Sequence, residues 1–351
     1  MASINIPNAI TSIESSTFSG CSSLTSLTIP EGVTAIGGSA FSGCSRLTSI
    51  NIPNAITSIE SSTFSGCSSL TSITIPEGVT TIGDSAFYNC SSLLNLTIPE
   101  SVTTIGQSSF YGCTGELIVN CNLPSASSSE YGTFCGSMFT KVIIGNGVTS
   151  IGSYAFNNCT SLTNVTLGNG LASIEIRAFE NCTSLTSVNI YDLSAWCKIS
   201  FTLYSNPLYN GAKLYLNGRE LTDIIIPSDI TEIKAQTFEN CTSLTKVIIP
   251  ESVTTIGYSA FSGCTSLTSV TIPDSVTSIE DLAFYNCTSM AEVYCKPAIP
   301  PTGKYVTSIF HCDGGMYLIP IGCKIYVPRN SVDLYKKQWK DYASDIEGYD
   351  F

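Results

Sequence analysis

Hydrophobic and polar positions recur along this chain with a period of 23 residues. The stretch L-T-S-V-T-I-P-D-S-V-T-S-I-E-D-L-A-F-Y-N-C-T-S, Leu267 to Ser289, shows the unit in full. Its apolar members are Leu267, Val270, Ile272, Val276, Ile279, Ala283, Phe284 and Cys287. The opening L-x-x-V-x-I alternates with period two, which predicts a short strand with one buried face. Proline follows at 30, 53, 76, 99, 250 and 273 and ends the strand, because it has no N–H to give a neighbour. V-T-x-I predicts a second short extended segment. A-F-x-x-C then sets Phe and Cys three apart on one helical or 3₁₀ turn. Gly or Asn before the Cys, and Ser or Thr after it, supply turn chemistry for re-entry into the next strand.

One such unit buries too little to offset the entropy of ordering it. Stacked in register, each strand bonds to a copy on either side and each Phe and Ile packs on its equivalent about 4.8 Å away. The pattern therefore predicts a solenoid with a parallel sheet along one side. The core expected from it includes Phe41, Phe64, Phe87, Cys44, Cys67 and Cys90.

The residues L-x-x-V-x-I-P…V-T-x-I-G-x-x-A-F-x-x-C-T-S resemble the BspA-like class of leucine-rich repeats, over nearly the whole chain. Residues 3–48 and 49–94 are near-copies of each other. The resemblance implies a right-handed leucine-rich-repeat superhelix with a parallel β-sheet on one face and short helical or 3₁₀ turns on the other. It also implies a bacterial surface protein with adhesive or partner-binding roles, without catalytic residues. On this reading 1–290 form the solenoid, and 291–351 add terminal strands and a capping helix to the same domain.

Three regions leave the period. In 114–141, Leu117 and Val119 serve one strand, Phe139, Val142 and Ile144 the next, and the Ser-rich 125–129 forms a loop. Cys121 and Cys135 flank that loop and are the expected disulfide. In 191–221, K-L-Y-L-N-G-R-E-L predicts an inserted β-hairpin turning at Asn217-Gly218, with Leu214 opposite Leu221 inside and Tyr215 opposite Glu220 outside. Trp196 is expected to plug the core where a repeat Phe is missing. In the tail, Met290, Val293 and Cys295 predict a strand and Ile325 with Val327 the last one. Val332, Tyr335, Trp339 and Tyr342 then fall on one face of an amphipathic helix, capped by Asn330 or Ser331 and covering the end of the stack. At the other end MASINIP begins within a unit and supplies no polar cap.

Cysteine usage changes the picture less than its abundance promises. Of 16 cysteines, ten recur with the repeat: Cys21, Cys44, Cys67, Cys90, Cys113, Cys159, Cys182, Cys241, Cys264 and Cys287. Equivalent side chains in a solenoid point in parallel, so the ten read as reduced, buried small hydrophobes. Cys121, Cys135, Cys197, Cys295, Cys312 and Cys323 stand outside the pattern. No C-x-x-C pair occurs, so neither a zinc ribbon nor a thioredoxin-like motif is indicated. Asn-Cys-Thr at 158–160, 181–183, 240–242 and 286–288 matches the glycosylation sequon but reads as repeat grammar.

Net charge is −12, with only 12% charged residues, and no basic stripe exists to engage phosphates, which excludes a nucleic-acid partner. No apolar run approaches the roughly 20 residues of a membrane span. MASINIP has neither the basic nor the apolar part of an export signal, so the chain reads as cytosolic or lacking its leader. The family resemblance implies the latter, with a cell-surface or secreted location. An enzyme would have to use the sequence neighbours His311, Cys312 and Asp313, which cannot face one another as nucleophile and base. No paired carboxylates, metal-ligand cluster or phosphate loop appears, so no cofactor and no catalysis are expected.

The outward strand positions distinguish the two halves. In the first they are Ser26/Thr28, Ser49/Asn51, Ser72/Thr74 and Asn95/Thr97, then Lys141/Ile143, Asn164/Thr166 and Ser187/Asn189, a ladder of mostly small, hydrated residues. In the second they are Asp223/Ile225, Lys246/Ile248, Ser269/Thr271, Glu292/Tyr294 and Lys324/Tyr326, with Lys213/Tyr215 on the hairpin. Aromatic groups among long charged ones are the composition of interface hot spots. Tyr215, Ile225, Lys246, Ile248, Glu292, Tyr294, Lys324 and Tyr326 are therefore the candidate ligand-binding residues, on the concave sheet. Three readings stay open: binding of a host or bacterial surface protein, binding of a glycan by stacking on Tyr215, Tyr294 and Tyr326, and a structural spacer. The same residues could instead pack beneath the insert and the terminal loops.

Overall fold

The computed structural model describes residues 3–303, 308–312 and 319–351. These form two compact units, one holding the described residues of 1–186 with Leu203–Pro207, the other Ser187–Thr202 with the described residues from 208 on. Each unit is a parallel β-solenoid.

In the first unit the wide strands are β1 (Ser3–Asn5), β2 (Ser26–Thr28), β3 (Ser49–Ile50), β4 (Asn95–Ile98), β5 (Thr114–Val119), β6 (Met138–Ile144) and β7 (Asn164–Thr166). All pair parallel, one repeat apart: Ser3 with Ser26, Leu27 with Ile50, Leu96 with Leu117. Ser72 bridges β3 and β4. The V-T-x-I segments make a second parallel ladder of two-residue strands, as at Ser58–Ile59, Thr81–Ile82 and Thr104–Ile105.

The A-F-x-x-C turn is not a helix. Its backbone closes i to i−3 bonds, as from Cys44 N–H to Phe41 O at 3.1 Å, but the Phe41 N–H donates instead to Thr63 O of the next rung at 2.9 Å. Backbone φ becomes positive at Ser39 (57°) and Gly43 (71°), which stops helix propagation on either side of the Phe. This explains why Gly or Asn precedes the Cys. Asn158, Asn181, Asn240 and Asn286 all have φ of 55–60°, so the Asn of each Asn-Cys-Thr serves the left-handed turn.

Inside the turn the Phe rings pile up. From Phe18 through Phe41, Phe64, Phe87 and Phe110, successive centroids are 5.3–5.6 Å apart and the rings nearly parallel. The column continues through Phe134, 5.1 Å from Phe110 and 5.0 Å from Phe156, so the irregular unit does supply its own Phe. Beside it runs the cysteine column, where each thiol donates to the Phe carbonyl of the rung before: Cys44 to Phe18 at 3.2 Å, Cys67 to Phe41 at 3.3 Å, Cys90 to Phe64 at 3.2 Å. These cysteines are thus hydrogen-bond donors as well as buried hydrophobes.

The expected Cys121–Cys135 disulfide is not formed; all 16 cysteines are free thiols. Cys121 follows strand β5, whereas Cys135 follows Phe134 in the turn, so they belong to different sides of the rung. Ser137, not Cys135, takes the column place, 3.4 Å from the Cys159 sulfur.

The second unit begins with β8 (Ser187–Ile190), then helix α1 (Leu193–Lys198), whose first amides are capped by Asp192. Trp196 on α1 is buried and its Nε1 donates to Thr237 O at 3.1 Å. β9 (Lys213–Leu216) and β10 (Arg219–Glu220) form the hairpin with Tyr215 opposite Glu220, turning at Asn217 (φ 52°) and Gly218 (φ 79°). A six-stranded parallel sheet follows: β11 (Asp223–Ile225), β12 (Lys246–Ile248), β13 (Ser269–Ile272), β14 (Glu292–Cys295), β15 (Lys324–Pro328) and β16 (Ile346–Tyr349). The expectation that Ile325 and Val327 lie in the last strand is corrected by β16, which pairs parallel with β15.

The chain reaches β16 through α2 (Val332–Gln338) and a 3₁₀ turn at Lys340–Tyr342. Neither expected residue caps α2 with its side chain. The Ser331 hydroxyl donates to Ala298 O at 2.8 Å, and a 3₁₀ turn at Arg329–Ser331 leads in. The expected helix ends at Gln338, before Trp339 and Tyr342, yet these two still close the Phe column. Phe310, last in the series Phe238, Phe261, Phe284, lies 6.2 Å from Trp339, just past α2, and 5.6 Å from Tyr342 on the 3₁₀ turn.

Two predictions follow from the turn. Gly66 has φ 71° and room for a Cβ, so Gly66→Ala carries a purely conformational cost of about 1–2 kcal/mol, while Gly66→Asn costs less; denaturant midpoints check this. Burial pushes the Cys44 thiol up to about 11 and the Cys159 thiol to about 12, and pushes Cys67 well above its ordinary value; the Cys113 thiol, then burial, does the same to Cys90. A raised folded value means full stability below the unfolded thiol's value of 9.0 and loss as pH climbs through the folded ones. The urea midpoint should therefore fall steeply from pH 9 upward, less so in Cys67→Ala/Cys90→Ala, and an unchanged slope in that variant would refute the assignment.

Candidate binding surface

Alternation along β11–β15 sends Ile224, Val247, Val270, Val293 and Ile325 inward, all buried, and leaves the residues on either side facing out. Because the strands pair in register, the outward residues form two rows that cross them. One row is Asp223, Lys246, Ser269, Glu292, Lys324; the other is Ile225, Ile248, Thr271, Tyr294, Tyr326, and then Glu347 of β16. Seven of the eight residues singled out from sequence thus share one sheet face.

Tyr215 does not join them. It lies on β9, paired with Asn189 of β8 and Glu220 of β10, in a sheet separate from β11–β16. Beside it Lys213 is held by Glu220 at 2.9 Å, which raises the lysine's pKa.

The second row has an apolar surface. Ile225 is 65% exposed and Ile248 43%, unusual for a β-branched aliphatic on a strand. At its other end Tyr294 and Tyr326 stack with centroids 5.0 Å apart and planes 22° from parallel. Tyr349 meets both, at 5.4 Å and 5.6 Å, and Phe351 packs on Tyr349 at 5.1 Å. Tyr349 (42% exposed) and Phe351 (51%) were missed by sequence reasoning. The signal lay in I-E-G-Y, where Ile346 and Gly348 alternate with Glu347 and Tyr349.

Charge frames these rings. Lys324 is paired with Glu347 at 3.0 Å, and Arg329 grips both carboxylate oxygens of Asp350 at 2.9 and 2.8 Å. Asp350 is accordingly held below the usual carboxylate range. Partial desolvation, then Glu292, raises the Tyr294 phenol. These pairs are exposed and screened, so they orient the surface more than they stabilise it.

The remaining candidate chemistry does not converge. The His311 ring lies 6.0 Å from Tyr285, 15° from parallel, and Asp313 lies outside the described residues. Among the described residues no three His, Cys, Asp or Glu side chains are grouped to hold a metal, and no helix is long and apolar enough to cross a membrane.

This sequence matches the BspA type leucine rich repeat region, in six copies, over residues 1–116, 124–206 and 211–311. The chain belongs to the BspA-type leucine-rich repeat family. Solved structures similar to this BspA-type chain include a leucine-rich repeat protein from Bacteroides ovatus. It is 26% identical, with 99% of this chain and 92% of that one covered and a TM-score of 0.57. A leucine rich cell surface protein from Faecalibacterium prausnitzii is 24% identical over 84% of this chain and 82% of that one, TM-score 0.40. The pneumococcal vaccine antigen PcpA is 20% identical over 99% and 77%, TM-score 0.33. No curated protein matches the sequence.

Replacing Ile225 and Ile248 by Ser removes exposed apolar surface without touching the core, so unfolding should shift by less than about 0.5 kcal/mol. A loss several times larger, read by denaturant titration, would mean that these side chains hold the sheet together.

Proposed function

We propose that this BspA-type protein is a non-catalytic interaction module of the cell surface, which binds a host or bacterial surface protein through the open face of β11–β16. The observation that carries the reading is the continuous row Ile225, Ile248, Thr271, Tyr294, Tyr326, extended by Tyr349 and Phe351. It combines exposed aliphatic and aromatic anchors with a charged margin, the composition of protein-contact hot spots. In the first unit the corresponding positions are Thr28, Asn51, Thr74, Thr97 and Thr166, with Ile118 and Ile143 the apolar exceptions and no aromatic ring, so the Tyr-bearing row is not a by-product of the repeat.

Ring geometry favours a protein over a glycan. Sugar rings stack on exposed aromatic faces, but Tyr294 and Tyr326 turn a face to each other and Tyr349 packs against both. The surface therefore offers ring edges and hydroxyls among aliphatic groups. A spacer would have no need of exposed Ile225 on a strand.

Wild-type protein and the Ile225→Ser/Phe351→Ser variant would be applied side by side to an array of surface proteins and to a glycan array. The expected outcome is protein hits that weaken at least tenfold in the variant while its thermal midpoint stays put. Glycan hits alone, or protein hits indifferent to the variant, would sink the reading.

A further inference from the structure

The row that crosses β11–β15 has a direction and a repeat distance, and both constrain what can lie on it. Ile225, Ile248, Thr271, Tyr294 and Tyr326 are Cα partners in consecutive strands, so the row runs perpendicular to the strands. Its step is the inter-strand spacing of about 4.8 Å. The backbone groups of β12–β15 are engaged with neighbouring strands on both sides, so a partner on this face is held by side chains and not by strand addition.

An α-helix presents its apolar face once per turn, about every 5.4 Å. An extended strand presents same-face side chains about every 6.7 Å. Over the four steps from Ile225 to Tyr326 a helix drifts about 2–3 Å from the row, which side-chain rotamers absorb. A strand drifts about 7–8 Å, more than one whole side-chain interval, and loses register. We infer that the occupant of this row is an amphipathic α-helix of a partner protein, about 13–15 residues long and lying across the strands.

The margins define its sides. One is the row Asp223, Lys246, Ser269, Glu292, Lys324, in which charge alternates. Lys324 is already paired with Glu347, and Asp223 accepts from the Thr245 hydroxyl, whereas Lys246 has no ion pair among the described residues. The other margin carries the strand-ending Pro227, Pro250 and Pro273, a stiff edge without N–H donors. The matching helix has aliphatic or aromatic residues at i, i+4, i+7 and i+11, and a carboxylate on the flank that meets Lys246. Its interior anchors fall on Ile225 and Ile248 at one end and on the Tyr294–Tyr326 edge at the other.

This inference rests on the protein-binding reading above, and the test separates the two. Random peptides displayed in two formats, on the exposed face of a stable helical scaffold and as Pro-flanked extended segments, would be selected on the full chain. Enriched peptides would then be measured by fluorescence anisotropy against wild type, Ile225→Ser/Ile248→Ser and Lys246→Glu. The expected result is enrichment in the helical format, with affinity falling at least tenfold in the Ile double variant and severalfold in Lys246→Glu. Enrichment in the extended format, lost in the same double variant, would overturn the helix and leave the binding face standing. Helical peptides unaffected by Lys246→Glu would overturn the assignment of the acidic flank. Peptides indifferent to the Ile double variant, or no enrichment in either format, would overturn both the helix and the face. Circular dichroism of each variant keeps a loss of fold from being read as a loss of binding.

Discussion

Everything stable in this chain depends on one rung lying on the next. The turn amide of each Phe donates across to the following rung, the Phe rings stack at 5.0–5.6 Å, and the strand amides do the same on the other side. A single unit has a face to bury and nothing to bury it against, so its hydrophobic gain exists only in the presence of its copy. This makes inward positions intolerant and nearly identical. Phe134 shows how strict the constraint is, since even the most irregular unit places a ring within 5.1 Å of each neighbour.

The same constraint explains features that look wasteful one at a time. A turn whose amides point to the next rung cannot also bond within itself as a helix. The chain therefore passes through left-handed conformations at Ser39 and Gly43 and at their equivalents. Ser at such positions is strained by an amount the stacking must offset, whereas Gly and Asn relieve it. Threonine hydroxyls add further ties, as from Thr48 to Thr25 O and from Thr71 to Thr48 O. The buried thiols complete the set. Each gives a second hydrogen bond to a Phe carbonyl that already accepts the Cys amide of its own turn, which a methyl group in the same space would not do.

Stacking dictates what faces in and leaves the outward strand positions free to vary. Any specific chemistry must therefore be written there. In the first unit those positions are mostly small and hydrated, and none is aromatic. In the second they carry exposed Ile225 and Ile248 and the rings of Tyr294, Tyr326, Tyr349 and Phe351. Parallel in-register pairing turns five separate substitutions into one row, so a surface that is scattered along the chain by 23 or more residues becomes continuous. Binding by such a row asks little of the scaffold, because its residues contribute little to the core.

Periodicity alone was enough for the architecture, the Phe and Cys columns and the hairpin at Asn217-Gly218, because each follows from local chemistry repeated at a fixed interval. It was also enough to assign seven of the candidate residues to one face, since alternation along a strand decides in and out. What it left undecided depended on contacts between segments far apart in sequence. Strand β16 has one of its four positions occupied by Gly and too weak a pattern to stand out, yet β15 offers it an edge to pair with. Ser331 is a good cap by type, but Ala298 O is the acceptor within its reach. Cys121 and Cys135 are close in sequence and separated by the rung they belong to. Tyr215 has the right residue type and alternation, but the hairpin carries it into another sheet. A repeat specifies how each unit meets its copy, and only the folded chain decides which neighbour an irregular segment finds.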